Sequence, residues 1–347
     1  CTTLCFLAAR FSVAYLHREP GFARFFLLLA LFCSGILVLV MAGSLDVLFL
    51  GWEIVGMTSV LLVGFFQDRD GPVQASLRVY ATYRFCDIGL LVGVILMHHY
   101  AGTTEFSHVF AVGPWPEHAP SVPAHAATAI LFALLIGSLG KGALFPVGNW
   151  LARAMEGPTP SSALFYGAIS IHAGVYLMLR MVPLLERSPV ACAALVVVGG
   201  LTAVYGTMTW RVQTDVKSGL AFATMTQIGV MFVEIGLGLH ELAAVHMAAH
   251  ASLRALQMLR APSALRDADM IRTVLSAEPV AHVPTLWSRM PAGVHARIYS
   301  AAIERFHLDA WLTRIVVDPL FFVAHRLARF EQAVVARLVG GTSVDDE

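Results

Sequence analysis

The sequence predicts an all-α fold, a polytopic transmembrane helix bundle with discontinuous helices, on three observations. Of 347 residues, 57% are apolar and only 13% are charged, against roughly 25% charged in an ordinary soluble domain. Several apolar runs approach or exceed the ~20 residues that a helix needs to cross a bilayer. One run is interrupted by glycine and proline beside a lysine, GSLGKGALFPVGNW, and such residues take stability out of a helix interior. The formal charge is balanced, 23 basic against 23 acidic residues, so no nucleic-acid partner is indicated.

Residues 1 to 16 read as the end of a helix, and the start at Cys1, without a basic leader, reads as an incomplete N-terminus. Full spans follow at 22 to 43, 45 to 66 and 73 to 99, the last carrying Arg78, Arg84 and Asp87. After a polar loop to about 122 comes the interrupted span, 124 to 147, then spans at 160 to 184, 188 to 210, 216 to 238 and 240 to 258. That makes eight complete spans in a membrane domain of residues 1–258. Residues 259–307, rich in Arg, Asp, His and Pro, hold no run able to cross lipid and read as extramembrane. The piece 308–339 contains Arg314, Asp318, Pro319 and His325 and fits either a tilted final span or an interfacial amphipathic helix. The acidic tail, 340–347, reads as disordered. Basic residues are spread too evenly among the loops to orient the chain.

The cysteines, at 1, 5, 33, 86 and 192, sit mostly in apolar runs with no CxxC pair. They read as small apolar fillers, and no iron-sulfur, zinc or other cofactor is expected in this chain.

Charges within spans carry the functional signal, because each costs at least ~2.5–3.5 kcal/mol near the bilayer centre and normally faces the bundle interior. Glu53, in FLGWEIVGM, has no basic residue within a turn on its own helix, so its partner comes from another helix. Lys141 is the natural candidate, flanked by Gly140 and Gly142 and followed by Pro146. A lysine in such a break can exchange its proton; the plainer alternative is a structural Glu53/Lys141 ion pair. His172 lies in ISIHAGVYL, and His246, His250 and Arg254 follow at intervals of four, which places the last three on one helix face. Imidazoles in a row can relay protons. The alternatives are satisfied packing histidines or a His-x-x-x-His metal clamp lacking its third ligand. Arg84 and Asp87, three residues apart, fit a mutual pair or a path lining. Lys217, near Asp215, belongs to a run of small and hydroxyl residues suited to close helix approach. Glu234 and Glu241 flank a short break and read as solvated helix ends.

Three strings, FLGWEIVGMTSVLLVGF, GKGALFPVGNWLARAMEGPTPSSALFYGAISIHAGVYL and DVKSGLAFATMTQIGVMF, resemble the antiporter-like membrane subunits of respiratory complex I and Mrp-type cation/proton antiporters. The resemblance covers roughly residues 10 to 260. It implies the antiporter-like fold and proton translocation along a central row of charges in a bacterial inner membrane. By position it assigns Glu53 to the family's WE glutamate and Lys141 to the lysine of the first broken helix. It assigns His246, His250 and Arg254 to the family's His, His and Lys. Arginine holds its proton almost always, so Arg254 is expected to set the field. Tyr166 stands where the family has histidine, and His172 appears six residues later, which implies a rerouted relay.

Past Gln257 the chain departs from the family's next broken helix. The ending, LRALQMLRAPSALRDADMI followed by RIYSAAIERFHLDAWLTRIVVDPLFF, resembles the membrane subunit of DAB-type inorganic carbon accumulation systems. That implies a large zinc-containing, carbonic-anhydrase-like partner and a proton flux coupled to CO2/bicarbonate uptake. The competing expectations are a subunit of an NADH:quinone oxidoreductase or Mrp-type antiporter, and a passive scaffold with structural charges.

Overall fold

The computed structural model describes residues 1–110, 122–274 and 291–339. Among them every regular element is helical, and the one β-type contact is an isolated bridge between Ser44 and Glu105. The elements are α1 (Thr2–Tyr15), α2 (Phe22–Met41), α3 (Leu45–Val63), α4 (Asp70–Ala101), the single turn α5 (Phe106–Val109), α6 (Ala124–Lys141), α7 (Trp150–Arg153), α8 (Thr159–Ser162), α9 (Ala173–Arg180), α10 (Val182–Leu185), α11 (Pro189–Trp210), α12 (Val216–Gly236), α13 (His240–Val274), α14 (Ala292–Ile303), α15 (Leu308–Leu312) and α16 (Asp318–Val339).

Short polar residues start the spans. Ser44 accepts from Val47 N ahead of α3, Ser188 from Ala191 N ahead of α11, and Asp215 from Ser218 N at 2.7 Å ahead of α12. Each satisfies a backbone donor that the first turn leaves free. Gly102, at φ 72°, ends α4, a backbone region that glycine enters at little cost.

Among the described residues seven helices are long and apolar enough to cross a membrane, and the chain is a multi-pass membrane protein. They match the first seven full spans expected. The eighth, 240 to 258, does form helix, but as part of the 35-residue α13, which is not among those seven. Its histidines, Glu241 and Arg254 dilute the apolar content, and the helix runs on past 258 without a break to Val274. Parts of the expected 99-to-122 loop and the 259–307 segment, and the whole 340–347 tail, lie outside the described residues.

Outward faces are apolar, with Leu27, Ile88, Ile95, Val197 and Val204 all more than half exposed, as lipid-facing side chains are. The span Thr159–Arg180 is the most enclosed, with 89% of its window buried, and it lies between the α2–α3–α4–α6 group and the α11–α12–α13 group. It is not a uniform helix. A π-helical stretch, Ala163–Ala168, and a 3-10 turn, Ser170–His172, separate α8 from α9, irregularities common at functional sites. The C-terminal helices dock on the bundle through Leu312 and Val316, which pack against Cys86, Val147 and Leu139.

Candidate functional site

Side chains meet backbone groups at the break after Lys141: Trp150 Nε1 donates to Gly140 O at 3.0 Å and Phe145 N donates to Thr202 Oγ1 at 3.0 Å, and beside them Tyr205 OH donates to the Asn149 side-chain oxygen. Non-helical backbone at membrane depth persists only where such partners replace the lost helix bonds. Lys141 is thereby held at the end of a half-helix with 1% of its surface exposed.

Its ammonium does not meet Glu53. Nζ donates to Trp52 O at 2.8 Å and lies 4.8 Å and 5.0 Å from the ring centres of Trp52 and Tyr83. Glu53 is instead paired with Arg84, and Arg84 Nη2 also reaches Asp87 Oδ2 at 3.1 Å. Trp52 Nε1 donates to Asp87 Oδ1 at 2.7 Å. The expected Glu53/Lys141 pair is therefore corrected to a longer network, Glu53–Arg84–Asp87–Trp52–Lys141, spanning α3, α4 and α6. The physical reason is placement: Arg84 stands on α4, packed beside α3, within reach of both carboxylates, while Trp52 holds Asp87 through Nε1 and offers its carbonyl and ring face to the lysine. Gly56 leaves the room, since a Cβ there would lie 2.8 Å from Lys141 Nζ.

The histidines form a second centre. His172 Nε2 and His250 Nδ1 are 3.0 Å apart, both side chains are buried, and Arg254 Nη2 lies 3.4 Å from His250 Nε2. His246 turns elsewhere. Its Nδ1 lies 3.0 Å and 3.1 Å from the two carboxylate oxygens of Glu234, and its Nε2 lies 3.1 Å from Gln227 Oε1. The ring centres of His246 and His250 are 6.2 Å apart, so the four-residue spacing does not make one unbroken hydrogen-bonded row. Glu234, expected to be a solvated end, keeps only 13% side-chain exposure, because α13 folds back over the end of α12. The nitrogens of His246 and His250 face different partners, and among the described residues no group of three ligating side chains assembles.

Tyr166 sits beside the Lys141 centre through Trp150, whose ring also meets Tyr83. Its hydroxyl donates to Ser59 O at 3.3 Å and its ring meets Trp150 edge-on at 5.5 Å, tying α3 to the broken segment. Lys217 sits in the first turn of α12, at the bundle end and apart from both centres. The backbones that carry the two centres approach at the break, where a Cβ at Gly142 would lie 3.9 Å from Ile171 O.

Trp52, Gln227 and Glu234 were the residues missed. Trp52 and Gln227 looked like ordinary span residues. Glu234 carried a legible signal, a carboxylate twelve residues from a histidine across a short connection, but its direction was not legible.

The family described as NADH:quinone oxidoreductase/Mrp antiporter, transmembrane, matches residues 42–294. The chain is 35% identical over 271 residues to NADH-quinone oxidoreductase subunit L of Neisseria meningitidis, covering 75% of this chain and 40% of that protein. It is 36% identical over 271 residues to the chloroplastic NAD(P)H-quinone oxidoreductase subunit 5 of Nephroselmis olivacea, covering 78% and 42%. It thus spans about two fifths of the length of these curated relatives. Among solved structures, the Mrp complex from Dietzia sp. DQ12-45-1b aligns with a TM-score of 0.63 and 25% identity, over 88% of this chain and 34% of that one.

Proposed function

The chain belongs to the family of transmembrane subunits shared by NADH:quinone oxidoreductases and Mrp antiporters, and from that premise we propose that it conducts protons across the bilayer as one subunit of such a multi-subunit complex. It has no catalytic site of its own in this reading; protons are its cargo, and partner subunits supply or use the energy.

One observation carries the reading: a fully buried lysine at a broken helix, in a network with two carboxylates and an arginine. With all four ionised, Glu53, Asp87, Arg84 and Lys141 sum to zero. Loss of the Lys141 proton leaves one uncompensated negative charge where field strength is high, and that charge draws the next proton. Arg84 keeps its own and so holds the carboxylates in place while Lys141 cycles. The His172–His250 contact, beside Arg254, extends the path toward α13 with groups that both donate and accept.

Replacing Lys141 with Ala, or Glu53 with Gln, is expected to leave the chain inserted and stop proton-dependent activity. Proton flux through reconstituted vesicles that survives Lys141→Ala would sink the reading.

A second reading couples the same flux to inorganic carbon (CO2/bicarbonate) uptake by a large zinc-containing, carbonic-anhydrase-like partner. Its support is the resemblance of the segments LRALQMLRAPSALRDADMI and RIYSAAIERFHLDAWLTRIVVDPLFF to the membrane subunit of such systems. Copurification separates the two: a large zinc protein supports carbon uptake, and a flavin and iron-sulfur assembly supports the oxidoreductase. In a carbon-uptake-deficient host, carbon coupling also requires Lys141→Ala to abolish growth at ambient CO2.

A further inference from the structure

Glu234 and His246 stand apart from the Lys141 network and from the His172–His250 contact, and nothing in the proposed path so far uses the carboxylate. Glu234 lies two residues from the end of α12, and His246 in the second turn of α13, across the connection 237–239. Both are partly buried, with side-chain exposures of 13% and 22%, so the couple reaches the surface at one edge while its other side faces the bundle.

The ring of His246 meets the Glu234 carboxylate at Nδ1, at 3.0 Å and 3.1 Å, and the Gln227 side-chain amide at Nε2, at 3.1 Å. A doubly protonated ring satisfies both contacts when the amide turns its oxygen to Nε2, and a neutral ring carrying Nδ1–H does so when the amide turns its NH2 there, so the site accommodates both protonation states. A carboxylate in contact adds charge assistance to that doubly protonated form. The other charged or titratable groups nearby are His250 on the same helix, His172 beyond it, and Arg254 against the far nitrogen of His250.

We propose that Glu234 and His246 form a carboxylate–imidazolium couple that serves as a proton-exchange site at the α12–α13 end of the path. The step is one proton transfer: the Nδ1–H bond of His246 breaks, an O–H bond forms on Glu234, and a neutral pair replaces the ion pair. No electrons move and no co-reactant is needed. The protonated carboxyl releases its proton at the exposed edge, and the ring, left with its lone pair at Nδ1, rotates to turn that nitrogen toward the bundle side and takes up the next proton there. Glu234 is thereby a proton-carrying residue. This rests on the proton-path reading above.

The test uses the complete chain with its partner subunits in lipid, with 15N-labelled histidine and His246 assigned by comparison with His246→Gln. In the wild type Nδ1 of His246 carries a proton hydrogen-bonded to Glu234. In Glu234→Gln the Nδ1 ring signal shifts, proton flux falls at least about tenfold with a shifted pH profile, and Glu234→Asp restores both readouts. Ring signals in Glu234→Gln that match the wild type overturn the couple. Altered ring signals with unchanged flux overturn its place in the path. Vesicles in which the wild type carries no proton flux remove the proton-path reading itself, and the transfer role of Glu234 with it, while the ring signals still report whether the pair exists.

Discussion

At the residue scale, the positions of the charges were legible and their partners were not. Glu53, Arg84, Asp87 and Lys141 stand out because each interrupts an apolar run and pays an insertion cost that packing alone does not explain. Which of them touch depends on the rotation of α3, α4 and α6 about their axes. Arg84 serves both carboxylates. Replacing it with Leu is expected to destabilise the chain by about 1–3 kcal/mol, since the buried Asp87 carboxylate loses a charged partner; thermal unfolding of the detergent-solubilised protein measures this. Gly56→Ala tests the lysine alone. Alanine favours helix, so unfolding temperature should hold or rise, while displacement of Nζ from the Trp52 carbonyl should cut proton flux about tenfold to a hundredfold.

At the element scale, the break in the 124-to-147 run was readable from Gly140, Gly142 and Pro146, since no regular helix accommodates that combination comfortably. Its supports were not readable, because Thr202 and Tyr205 lie more than fifty residues away on α11. Thr202→Val keeps the shape but leaves the Phe145 N–H without its partner, an expected loss of about 1–3 kcal/mol seen as a lower unfolding temperature. The pairing of α11 with α12 depends on small residues. A Cβ at Gly229 would lie 2.6 Å from Gly199 O and Ala203 N, and close backbone approach is what holds helices together in lipid. Gly229→Val is therefore expected to separate the pair and reduce the yield of folded protein in size-exclusion chromatography. The π-helical stretch at 163–168 and the uninterrupted length of α13 escaped the sequence, because neither leaves a mark in hydrophobic periodicity.

At the scale of the whole molecule, the bundle sorts loops that looked evenly basic into two unlike ends. The contacts of Arg24 with Gln67, Tyr15 with Thr159, and the Ser44–Glu105 bridge with Arg180 reaching Ala42 O assign the connections to their ends. One end carries Arg18, Arg24, Arg69, Arg153, Arg211 and Lys217, and the other carries Arg180 and Arg187. By the bias of cytoplasmic loops toward Lys and Arg, the first end is expected to face the cytoplasm. In a Cys1→Ser background, a membrane-impermeant thiol reagent applied from outside should label Glu105→Cys and Glu186→Cys, and spare Glu19→Cys and Asp68→Cys. The reverse pattern would invert the orientation and place the Glu234–His246 couple on the cytoplasmic side.

By itself the sequence determined that this protein lives in a membrane, where the seven spans from 22 to 238 run, that the 124-to-147 run breaks, and which ionisable groups are stranded among apolar neighbours. Those properties follow from local composition, because hydrophobic length and helix-breaking chemistry act along the chain. Only the tertiary structure decided that Glu53 answers to Arg84, that Lys141 rests on Trp52, that His172 meets His250, and that His246 turns to Glu234. Side-chain pairing across helices depends on rotation and depth, which packing sets and spacing along the chain does not record.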